Sequence, residues 1–528
     1  MSWLGRLLTS NSDIFTVSTP GGIKPRRFKS SSLRSRIMAS PLPKQLLLAL
    51  LQHDGLYLTP TIAVGDKVKK YQLIAQPSSE FGLPMYAPTS GVVTELKRSQ
   101  DTVNTALLVT SIIIETDGLD SECVASPMID LLTATPPMLI AALQKLSVGG
   151  LGGGGFPAPL KLQAAFEVGI DTLLINAAEC EPFISCDEAL LREHAVEVVA
   201  GSLILQKASA AANCIIAIQS HKTEAIAAVR KALAQTDVKL AIVATKYPAG
   251  SEKQLIQAVT NKQVPAGGKP TDIGVLVQNA GTAYSTQQSI TSGRPNISRI
   301  TTVSGKPLRT PKNFDVLYGT PVSFLLEICG VDKSIHSHTV IGGPLMGVPL
   351  ENDNEGVSRA TNSIIAADVD TFPATEPEQA CIRCGYCADA CPVKLLPQQL
   401  YSFARSQNAE QLVAYQLNDC IECGACSYVC PSKIPLVDYF KAGKATLTEE
   451  ARKQAQSAHW QTRFQAHQIR LKIEKNAAGS KRQAKTLKSP DKVALAPMSR
   501  EAARSDIAAA VARVRKKKNK FNAAKEND

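Results

Sequence analysis

Eight of the thirteen cysteines fall in two short runs that share one spacing. Each run reads C-x2-C-x2-C-x3-C-P, the first from Cys381 to Pro392 and the second from Cys420 to Pro431. Three thiolates at this spacing wrap one corner of a cubane iron–sulfur cluster, and the fourth cysteine ligates the cluster of the other run. We therefore predict two [4Fe-4S] clusters. Cluster one takes Cys381, Cys384, Cys387 and Cys430, and cluster two takes Cys420, Cys423, Cys426 and Cys391.

A pair of structural zinc sites is the alternative, because C-x2-C pairs also suit zinc. Zinc gives no reason for a third cysteine followed by Cys-Pro in both runs, so the pattern favours iron–sulfur. The remaining five cysteines are odd in number and scattered, which indicates reduced thiols in a cytosolic compartment. They are Cys123, Cys180, Cys186, Cys214 and Cys329.

The second chemical feature is a glycine-rich stretch, in which six of the seven residues from Gly149 to Gly155 are glycine. A backbone without Cβ atoms lets a flat or anionic ligand approach closely, and a helix that starts after it favours phosphate. Taken alone the stretch is a weak signal, because it is neither a dinucleotide fingerprint nor a Walker loop. A flexible turn explains it equally well.

The composition is that of a soluble protein, with 44% hydrophobic and 20% charged residues. Its 528 residues predict about three or four domains. No apolar run approaches the ~18 residues of a membrane span, so we expect a peripheral protein at most. The net charge of +12 is uneven: residues 451–528 hold 20 Lys and Arg against 6 Asp and Glu, which leaves residues 1–450 at −2. This basic tail favours an anionic membrane surface or an acidic partner over nucleic acid, because no aromatic platform accompanies it.

Periodicity divides the body of the chain into modules. Short apolar runs between turns predict an all-β module over residues 41–120. Helix and strand patterns alternate over residues 135–290, which predicts an α/β domain with a mostly parallel sheet. Residues 1–40 are rich in Ser, Arg and Lys and predict a mostly irregular leader.

The next part of the chain returns to β-rich sequence. Strands are expected at Arg299–Val303, Thr320–Leu326 and Thr339–Met346, within a module over residues 296–350. Residues 351–375 are predicted to be a polar connector.

The cysteine runs are separated by 28 residues with helical spacing, which predicts a helical iron–sulfur module over residues 376–445. From Thr446, which could form a capping box with Glu449, the chain is predicted to be helical. After Asn476 we expect mostly disorder, with a short basic helix at Ile507–Lys518, because apolar content becomes low.

Two stretches of the α/β domain are similar to the flavin-bearing, NADH-binding subunit of respiratory complex I. They are Gly150–Pro157, with Lys161 in the helix that follows, and Asn176–Pro182. The paired cysteine runs resemble those of bacterial ferredoxins. Taken together, residues 20–445 resemble the C subunits of Rnf (Rsx) ion-translocating electron-transport complexes.

The all-β module resembles the barrel-sandwich hybrid of biotinyl and lipoyl carriers. In those carriers a lysine at a hairpin tip bears the cofactor, but this chain has no lysine between Leu73 and Val92. A structural or docking module is therefore expected.

The resemblance implies a multidomain α/β fold. Its parts would be an N-terminal leader (1–40), a barrel-sandwich hybrid (41–120), a Rossmann-like FMN and NADH domain (135–290), a β-grasp module (296–350), a helical two-cluster ferredoxin module (376–445) and a helical, then disordered, basic tail (446–528).

The resemblance also implies roles for single residues. The FMN pocket would be formed by Gly150, Gly152, Gly153, Gly154, Gly155, Lys161, Asn176, Asn279 and Thr282. Tyr247 and Glu252 would line the same cleft, and Glu179 and Glu181 would lie at the nicotinamide site as catalytic candidates. Leu151 and Ala178 stand where the complex I pattern has Arg and Asp, which weakens the implied NAD(H) contacts more than the FMN contacts.

The implied function is that of a peripheral redox subunit on the cytoplasmic side of an inner membrane. It would pass electrons between NADH, FMN and two [4Fe-4S] clusters, to or from ferredoxin or partner subunits. A flavin is needed because a cubane carries one electron at a time while nicotinamide moves two. Cluster potentials span ≈ −700 to +450 mV, so either direction of flow fits. The alternative is a non-catalytic iron–sulfur electron wire without nucleotide binding.

Overall fold

A computed structural model describes residues 14–52, 55–100, 108–125, 128–373, 376–486 and 499–523. The strands within these ranges are β1 (Ile14–Val17), β2 (Met38–Ala39), β3 (Gln45–Ala49), β4 (Leu58–Pro60), β5 (Lys67–Val68), β6 (Leu73–Pro77), β7 (Met85–Tyr86), β8 (Gly91–Gln100), β9 (Leu108–Thr116), β10 (Thr172–Ala177), β11 (Asn213–Gln219), β12 (Lys239–Val243), β13 (Val275–Asn279), β14 (Ser298–Ser304), β15 (Lys312–Leu317), β16 (His338–Ile341), β17 (Val348–Leu350) and β18 (Ser363–Ala367).

The helices within these ranges are α1 (Pro136–Lys145), α2 (Ala158–Val168), α3 (Cys186–Glu193), α4 (Ala195–Ser209), α5 (Thr223–Ala232), α6 (Glu252–Thr260), α7 (Ala280–Ser292), α8 (Val322–Ile328), α9 (Tyr386–Ala390), α10 (Pro397–Arg405), α11 (Ala409–Ala414), α12 (Ala425–Tyr428), α13 (Leu436–Thr486) and α14 (Arg500–Ala523). The chain divides into two compact units, residues 1–447 and 448–528.

A five-stranded parallel sheet forms the centre of the α/β domain, in the order β1-β12-β11-β10-β13. Its strands are nearly continuous apolar runs because helices cover both faces. Leu173 and Ile175 of β10 enter one core, whereas Leu174 enters a second core with Leu255 and Ile256 of α6. The structure thus confirms the predicted α/β class and parallel sheet.

The order of the strands creates a crevice at one edge of this sheet. The chain runs outward from β10 through β11 to β12 and then returns to place β13 on the other side of β10. Asn176 and Asn279, at the carboxyl ends of β10 and β13, are therefore paired neighbours. Open α/β sheets bind their ligands at such switch points.

Residues 1–13 of the predicted N-terminal leader lie outside the described residues, and residues 18–37 are mostly irregular, as predicted. The segment is nevertheless part of the body of the protein and not a separate leader. From Ile14 onward it adds β1 to the parallel sheet beside β12 and β2 to another sheet beside β15. Between these strands, Lys29 and Ser32 are buried. The polar composition misled the prediction because an added edge strand needs only a few residues, and the existing sheet supplies its hydrogen-bonding partners.

Residues 45–116 form the all-β module that the sequence predicts. One antiparallel sheet has the order β3-β9-β8-β5 and the other the order β4-β6-β7. Leu46, Ile74, Val93 and Ile112 are fully buried in the core of this module.

A six-stranded mixed sheet follows, in the order β17-β16-β18-β14-β15-β2, and it corrects two predictions. Thr320–Leu326 is not a strand, because α8 buries Val322, Leu325 and Leu326 at helical spacing. Residues 351–375 are more than a connector, since β18 is a buried central strand between β16 and β14. A short apolar run does not by itself indicate whether a segment is helix or strand. Neither α8 nor β18 is longer than seven residues.

Helices α9 to α12 surround the cysteine runs, as the helical spacing predicts, and Leu400, Leu412 and Leu417 are buried beneath them. The capping-box prediction is wrong, because Thr446 lies inside α13, which begins at Leu436. Predicted disorder after Asn476 is also wrong for the described residues, which continue as helix to Thr486 and form α14. Ala, Lys and Arg favour helix even where nothing is buried. Residues 487–498 lie outside the described part of the chain.

None of the helices in the described ranges combines the length and the apolar content needed to cross a membrane.

The crossing of α4 and α7 gives the first prediction. A Cβ atom on Gly201 would lie 1.8 Å from the carbonyl oxygen of Ala283. In an open helix Gly→Ala stabilises by about 1 kcal/mol. Here we expect Gly201→Ala to lower the free energy of unfolding by about 1–3 kcal/mol, because the two backbones must move apart. Urea unfolding followed by circular dichroism measures the change.

Gly479→Ala in α13 is the matched control, since a Cβ there has nothing within 4 Å. It should leave the unfolding curve unchanged or shift it to higher urea. A Gly201→Ala protein as stable as the unmodified chain would contradict the close crossing.

Candidate functional site

A cleft of about 340 Å³ opens at the carboxyl ends of β10 and β13. This volume is within the range of small-molecule sites. Eleven of the thirteen residues predicted for FMN and nicotinamide line it, namely Gly150, Gly152, Gly154, Gly155, Lys161, Asn176, Glu179, Glu181, Glu252, Asn279 and Thr282. The switch point of the sheet therefore gathers residues that are up to about 130 positions apart in the chain.

The other two predicted residues, Gly153 and Tyr247, are not in the lining. Gly153 lies in the glycine loop with φ at +102°, a conformation that side chains rarely adopt. Tyr247 is 1% exposed and lies behind the cleft, where its hydroxyl donates to the carbonyl oxygen of Cys423 at 2.5 Å. Tyr247 thus connects the α/β domain to the iron–sulfur module.

The backbone of Leu151, the only residue other than glycine between Gly149 and Gly155, anchors the glycine loop to the rest of the domain. Its backbone N–H donates to the Thr282 hydroxyl (2.9 Å), and its carbonyl oxygen accepts from the Arg299 guanidinium (3.0 Å). Arg299 is buried and also donates to the carbonyl oxygens of Ile300 and Arg359. The loop is therefore a fixed wall of the cleft and not the flexible turn that the sequence left open.

Two asparagine side chains fix the mouth of the cleft. The Asn279 carbonyl oxygen caps α7 by accepting from the Gly281 N–H, and its amide donates to Asp187 (both 2.8 Å). The Asn176 amide donates to the carbonyl oxygen of Gly250 at 2.8 Å. Because these hydrogen bonds fix the orientation of each side-chain amide, its remaining polar groups face a ligand in a defined direction.

The Glu179 carboxylate is held in a buried ion cluster. Oε2 lies 3.0 Å from the Lys222 ammonium and 3.6 Å from that of Lys29, and Oε1 accepts from the Asp187 N–H at the start of α3. Burial opposes the charge, but the two lysines outweigh it and lower the pKa of Glu179. Its φ of +44° places it in the left-handed region. The carboxylate is engaged in fixing this turn, and only part of the residue faces the cleft.

Glu181 is different, since this largely buried acid forms no ion pair with any of the described residues. Its Oε2 accepts from the Leu345 N–H at 3.3 Å. Its Oε1 is buried and lacks a donor within the described residues, because the nearby Tyr247 hydroxyl points to Cys423. Burial raises the pKa of Glu181 to about 7. A group with this pKa can bind or release a proton near neutral pH.

The lining leaves unused polar groups that suit a flavin. Glu181 Oε1 and Gln278 Nε2 are both buried without a hydrogen-bonding partner among the described residues. A planar ring with donors and acceptors along its edge would satisfy both. At the opening, Lys161 in the first turn of α2 faces Glu252 at 3.1 Å, and both are partly exposed. A cation at a helix start after a glycine loop suits a phosphate. The residues therefore fit FMN.

The sequence predictions missed several lining residues, among them Cys186, Asp187, Gln278 and Asn362. Burial and the neighbouring Glu179 raise the pKa of Asp187 to about 6. Gln278 directly precedes Asn279 at the end of β13, and this position could have indicated from the sequence that it lines the cleft. Asn362 belongs to the segment mistaken for a connector, and nothing local in the sequence marks it.

The cysteines form two sets. A small cavity is lined by Cys381, Cys384, Cys387 and Cys430. In the other set Cys426 lies beside Cys423, Cys420 and Cys391, whose proximity adds to the effect of burial and raises its pKa to about 12. The fourth cysteine of each run thus lies with the first three of the other. Four thiols in each group match the donor set of a cubane.

The two runs also repeat their backbone conformation. Left-handed residues occur at Arg383 and Glu422, and again at Gly385 and Gly424. Such turns direct successive backbone N–H groups toward an anionic centre. The fit to a cluster is therefore built into the backbone as well as into the thiols.

The cysteine sets differ in position relative to the flavin cleft. Cys391, Cys423 and Cys426 are buried, whereas Cys381 and Cys384 are exposed. The buried set faces the α/β domain, because Tyr247 bonds Cys423. It also contacts the loop between β16 and β17, since a Cβ on Gly424 would meet the Leu345 carbonyl oxygen at 2.9 Å. The exposed set faces away from this junction.

Family models match three parts of the chain. They are the RnfC barrel sandwich hybrid domain (residues 17–119), the Nuo51 FMN-binding domain (143–288) and a 4Fe-4S dicluster domain (380–434). The fold is thus a mixed α/β assembly of a barrel-sandwich hybrid, an FMN-binding domain and an iron–sulfur domain.

Curated relatives are named as C subunits of the ion-translocating oxidoreductase complex. The Pseudomonas aeruginosa protein is 40% identical over 463 residues, which are 88% of this chain and 60% of that protein. The Haemophilus influenzae protein is 40% identical over 455 residues, 86% of this chain and 68% of that protein. The chain belongs to this family, as the sequence resemblance implied, and it spans about 60% of the length of the Pseudomonas relative.

Among solved structures, an NAD+-reducing [NiFe]-hydrogenase in the air-oxidized state is similar at 16% identity and a TM-score of 0.42. The match covers 60% of this chain and 62% of that chain. A likeness at this level carries no functional conclusion.

The buried ion cluster at Glu179 gives the second prediction. Lys222→Met removes the closer cation and leaves the carboxylate with Lys29 alone. Because a buried charge then loses its main partner, we expect the free energy of unfolding to fall by about 3–5 kcal/mol. Chemical unfolding of the flavin-free chain measures this loss.

Lys161→Met is the control, because it breaks a partly exposed pair with Glu252 that is worth roughly 0–1 kcal/mol. The double variant Lys222→Met/Glu179→Gln should recover only part of the loss, because it removes the buried carboxylate but leaves the buried Lys29 ammonium without its Glu179 partner. Equal effects of the two single variants would show that the buried cluster does not hold the turn.

The raised pKa of Glu181 gives the third prediction. An unfolded Glu titrates near ~4.3, so between this pH and about 7 the folded chain binds the extra proton. The free energy of unfolding should therefore decrease as pH rises through this window, by on the order of 3 kcal/mol in all. Glu181→Gln keeps the shape of the protonated acid and should lose this part of the slope.

Melting temperatures of both flavin-free proteins from pH 4 to 8 test this, with the largest gain for Glu181→Gln expected above about pH 7. Glu252→Gln controls for removing one negative charge from the cleft. If the melting temperatures of Glu181→Gln and the unmodified chain changed in parallel with pH, the raised pKa assigned to Glu181 would be contradicted.

Proposed function

We propose that this chain is the peripheral redox subunit of a membrane-bound, ion-translocating electron-transport complex. It passes electrons between NADH, FMN and two [4Fe-4S] clusters, to or from ferredoxin or partner subunits. The observation that carries this proposal is the junction at Tyr247, a residue behind the flavin cleft whose hydroxyl donates to the backbone carbonyl oxygen of Cys423. Electron relay needs its centres close together, and this contact brings the two modules together.

In this proposal the glycine loop from Gly150 to Gly155 faces the flavin and its phosphate, with Lys161 beside it. Asn176, Asn279 and Thr282 complete the pocket. When bound, FMN converts the two-electron chemistry of nicotinamide into single-electron steps. The chain itself supplies a rigid backbone wall, which Arg299 and Thr282 hold in place.

NADH would enter from the mouth of the cleft, with its nicotinamide near Glu181. With a pKa near 7, Glu181 can stay neutral beside a hydride donor and adjust its proton as charge changes. Glu179 would act indirectly, by fixing the turn that carries Glu181. Glu252 would line the entrance, and Tyr247 would support Glu181 from behind.

The cysteine sets give an order to the two proposed clusters. Cluster two, on Cys391, Cys420, Cys423 and Cys426, would be the neighbour of the flavin, and cluster one would lie on the far side. Because Cys381 and Cys384 are exposed, cluster one would lie at the surface. Exchange with another protein would therefore involve this end of the relay.

The remaining modules would have structural or docking roles. The sheet from β14 to β18 supports a β-grasp module, because a hairpin, a helix and a last strand parallel to the first follow in order. It would extend past the predicted limit of residue 350 to include β18. The basic helices α13 and α14 would contact an acidic subunit or an anionic, cytoplasmic membrane face.

The fourth prediction tests this function directly. Full-length chain prepared without oxygen should hold FMN and about eight irons, as two cubanes require. NADH should bleach the flavin absorbance and then the cluster absorbance. Iron without NADH-dependent bleaching would instead support a non-catalytic electron wire, and zinc in place of iron would remove the redox function.

A matched pair of threonines on α7 tests the flavin pocket. Thr282 anchors Leu151, whereas the buried Thr286 hydroxyl, one turn further on, has no partner among the described residues. Thr282→Val should weaken FMN binding up to about tenfold, the equivalent of one hydrogen bond. Thr286→Val should leave the FMN dissociation constant unchanged. Equal effects in fluorescence titrations would show that the loop anchor does not matter.

A further inference from the structure

A second cavity, with a volume of about 230 Å³, lies next to the flavin cleft, and we call it the vestibule. It is lined by one face of α7, by residues 294–300 and by Tyr71 of the all-β module. The lining combines exposed residues, Gln288 and Ser292, with buried ones, Asp187 and Arg299. The vestibule therefore reaches from the surface of the protein into the interior of the α/β domain.

The walls of the vestibule are polar. Ser285, Gln288, Ser289 and Ser292 of α7 recur at helical spacing and share the face that lines it. The Ser285 hydroxyl is buried and has no hydrogen-bonding partner among the described residues. Water suits such a site, because a buried hydroxyl needs a partner and each molecule of liquid water takes up only ~30 Å³. We therefore expect the vestibule to hold several ordered waters.

One wall of the vestibule is fixed by the all-β module. The Arg294 guanidinium lies over the ring of Tyr71, at 5.3 Å from its centre, and pairs with Glu122 at 2.5 Å. Tyr71 and Arg294 both line the vestibule. The all-β module thus contributes to a cavity that adjoins the flavin cleft.

The vestibule and the flavin cleft share two residues in the described part of the chain, Leu151 and Asp187. Leu151 has an apolar side chain and cannot carry a proton. Asp187 can, and its carboxylate is held in place because the Asn279 amide donates to Oδ2 at 2.8 Å. The one ionisable group that lines both spaces is therefore a positioned carboxyl group.

The charged groups around Asp187 come from three other parts of the fold. They are Glu179 after β10, Lys222 before α5 and Arg299 of β14. Burial and the charge of Glu179 raise the pKa of Asp187 to about 6, although Lys222 and Arg299 oppose this change. An acid that titrates close to neutral pH both gives and takes a proton readily.

The proposed redox function requires protons at the flavin. When NADH passes a hydride to FMN, one further proton is taken up to complete the reduced ring. Two protons are released when the two electrons leave, one at a time, for the clusters. FMN and nicotinamide together would close a cleft of about 340 Å³, so a route that does not use its mouth is favoured.

We propose that Asp187 carries protons between the water of the vestibule and the flavin. This rests on the proposed function, because it assumes that FMN occupies the cleft. During reduction the O–H bond of the Asp187 acid breaks and its proton passes into the cleft, and water of the vestibule then returns a proton to the carboxylate. During reoxidation the same steps run in reverse, while the electrons come from NADH and leave for the clusters.

The fifth prediction uses fast-scan voltammetry of the full-length, FMN-loaded chain on an electrode, so that electrons arrive without NADH. Asp187→Asn keeps the shape of the side chain but carries no acidic proton. The oxidation and reduction peaks of the flavin should begin to separate at a scan rate at least about tenfold lower than in the unmodified chain, because proton supply becomes limiting. Fluorescence titration should show that FMN still binds.

A matched pair on α7 tests the vestibule itself. Ser285→Leu fills the cavity and leaves Asp187 in place, so it should lower the limiting scan rate as well. Thr286→Val is the control, because the Thr286 hydroxyl is also buried without a partner among the described residues but does not line the vestibule. This control should behave like the unmodified chain. Ser285→Leu also keeps the test decisive if Asp187→Asn does not fold.

The remaining outcomes each have one meaning. Unchanged peak separation in Asp187→Asn and Ser285→Leu would overturn the proton route and leave the flavin function intact. An effect of Asp187→Asn alone would place the entrance for protons elsewhere, and an equal effect of Thr286→Val would indicate general loosening of α7; both would overturn the role of the vestibule. A full-length chain that binds no FMN would overturn the proposed function together with this route.

Discussion

The flavin cleft depends on one buried carboxylate, that of Glu179. It joins the end of β10 to the start of α3 and is held by Lys222, from the turn between β11 and α5, and by Lys29 from the N-terminal segment. These contacts keep the following residues, including Glu181, in a turn with left-handed backbone. A buried ion cluster of this kind does not add much stability by itself, but removing Glu179 deprives both lysines of their shared partner, and removing Lys222 leaves the carboxylate with only the more distant Lys29. The turn is therefore fixed in one conformation.

A second constraint is the contact between modules. Tyr247 reaches Cys423, and the Gly22 N–H donates to the carbonyl oxygen of Ala390 at 2.9 Å, next to Cys391. A Cβ on Gly21 would lie 2.5 Å from the Cys391 carbonyl oxygen, so the N-terminal segment packs directly on backbone there. The same segment supplies Lys29 to the flavin cleft. One stretch of chain thus connects both parts of the site.

The sequence predicted the candidate functional residues better than the contacts between distant parts of the chain. Cysteine spacing, glycine density and apolar runs are local signals, and they identified both cysteine runs, the glycine loop and the parallel sheet. Residues 14–39 and Asn362 were misjudged because their roles come from distant partners: β1 pairs with β12, and β18 completes a sheet begun at β14. Arg299 and Lys222 belong to the same class, since a basic residue in an ordinary strand or turn gives no sign of burial.

Some departures from ordinary protein construction lie around the cleft, and others occur elsewhere in the described residues. Glu179 and Phe183 adopt left-handed backbone although neither is glycine, and Glu181 and Gln278 bury polar atoms without partners in the described residues. Each feature opposes folding, by strain or by lost solvation. They lie within a few residues of one another at the ends of two strands, while the sheet that supports them is conventionally packed. Features of this kind are expected where structure serves a ligand, because a bound group can supply the hydrogen bonds that the protein leaves unmade.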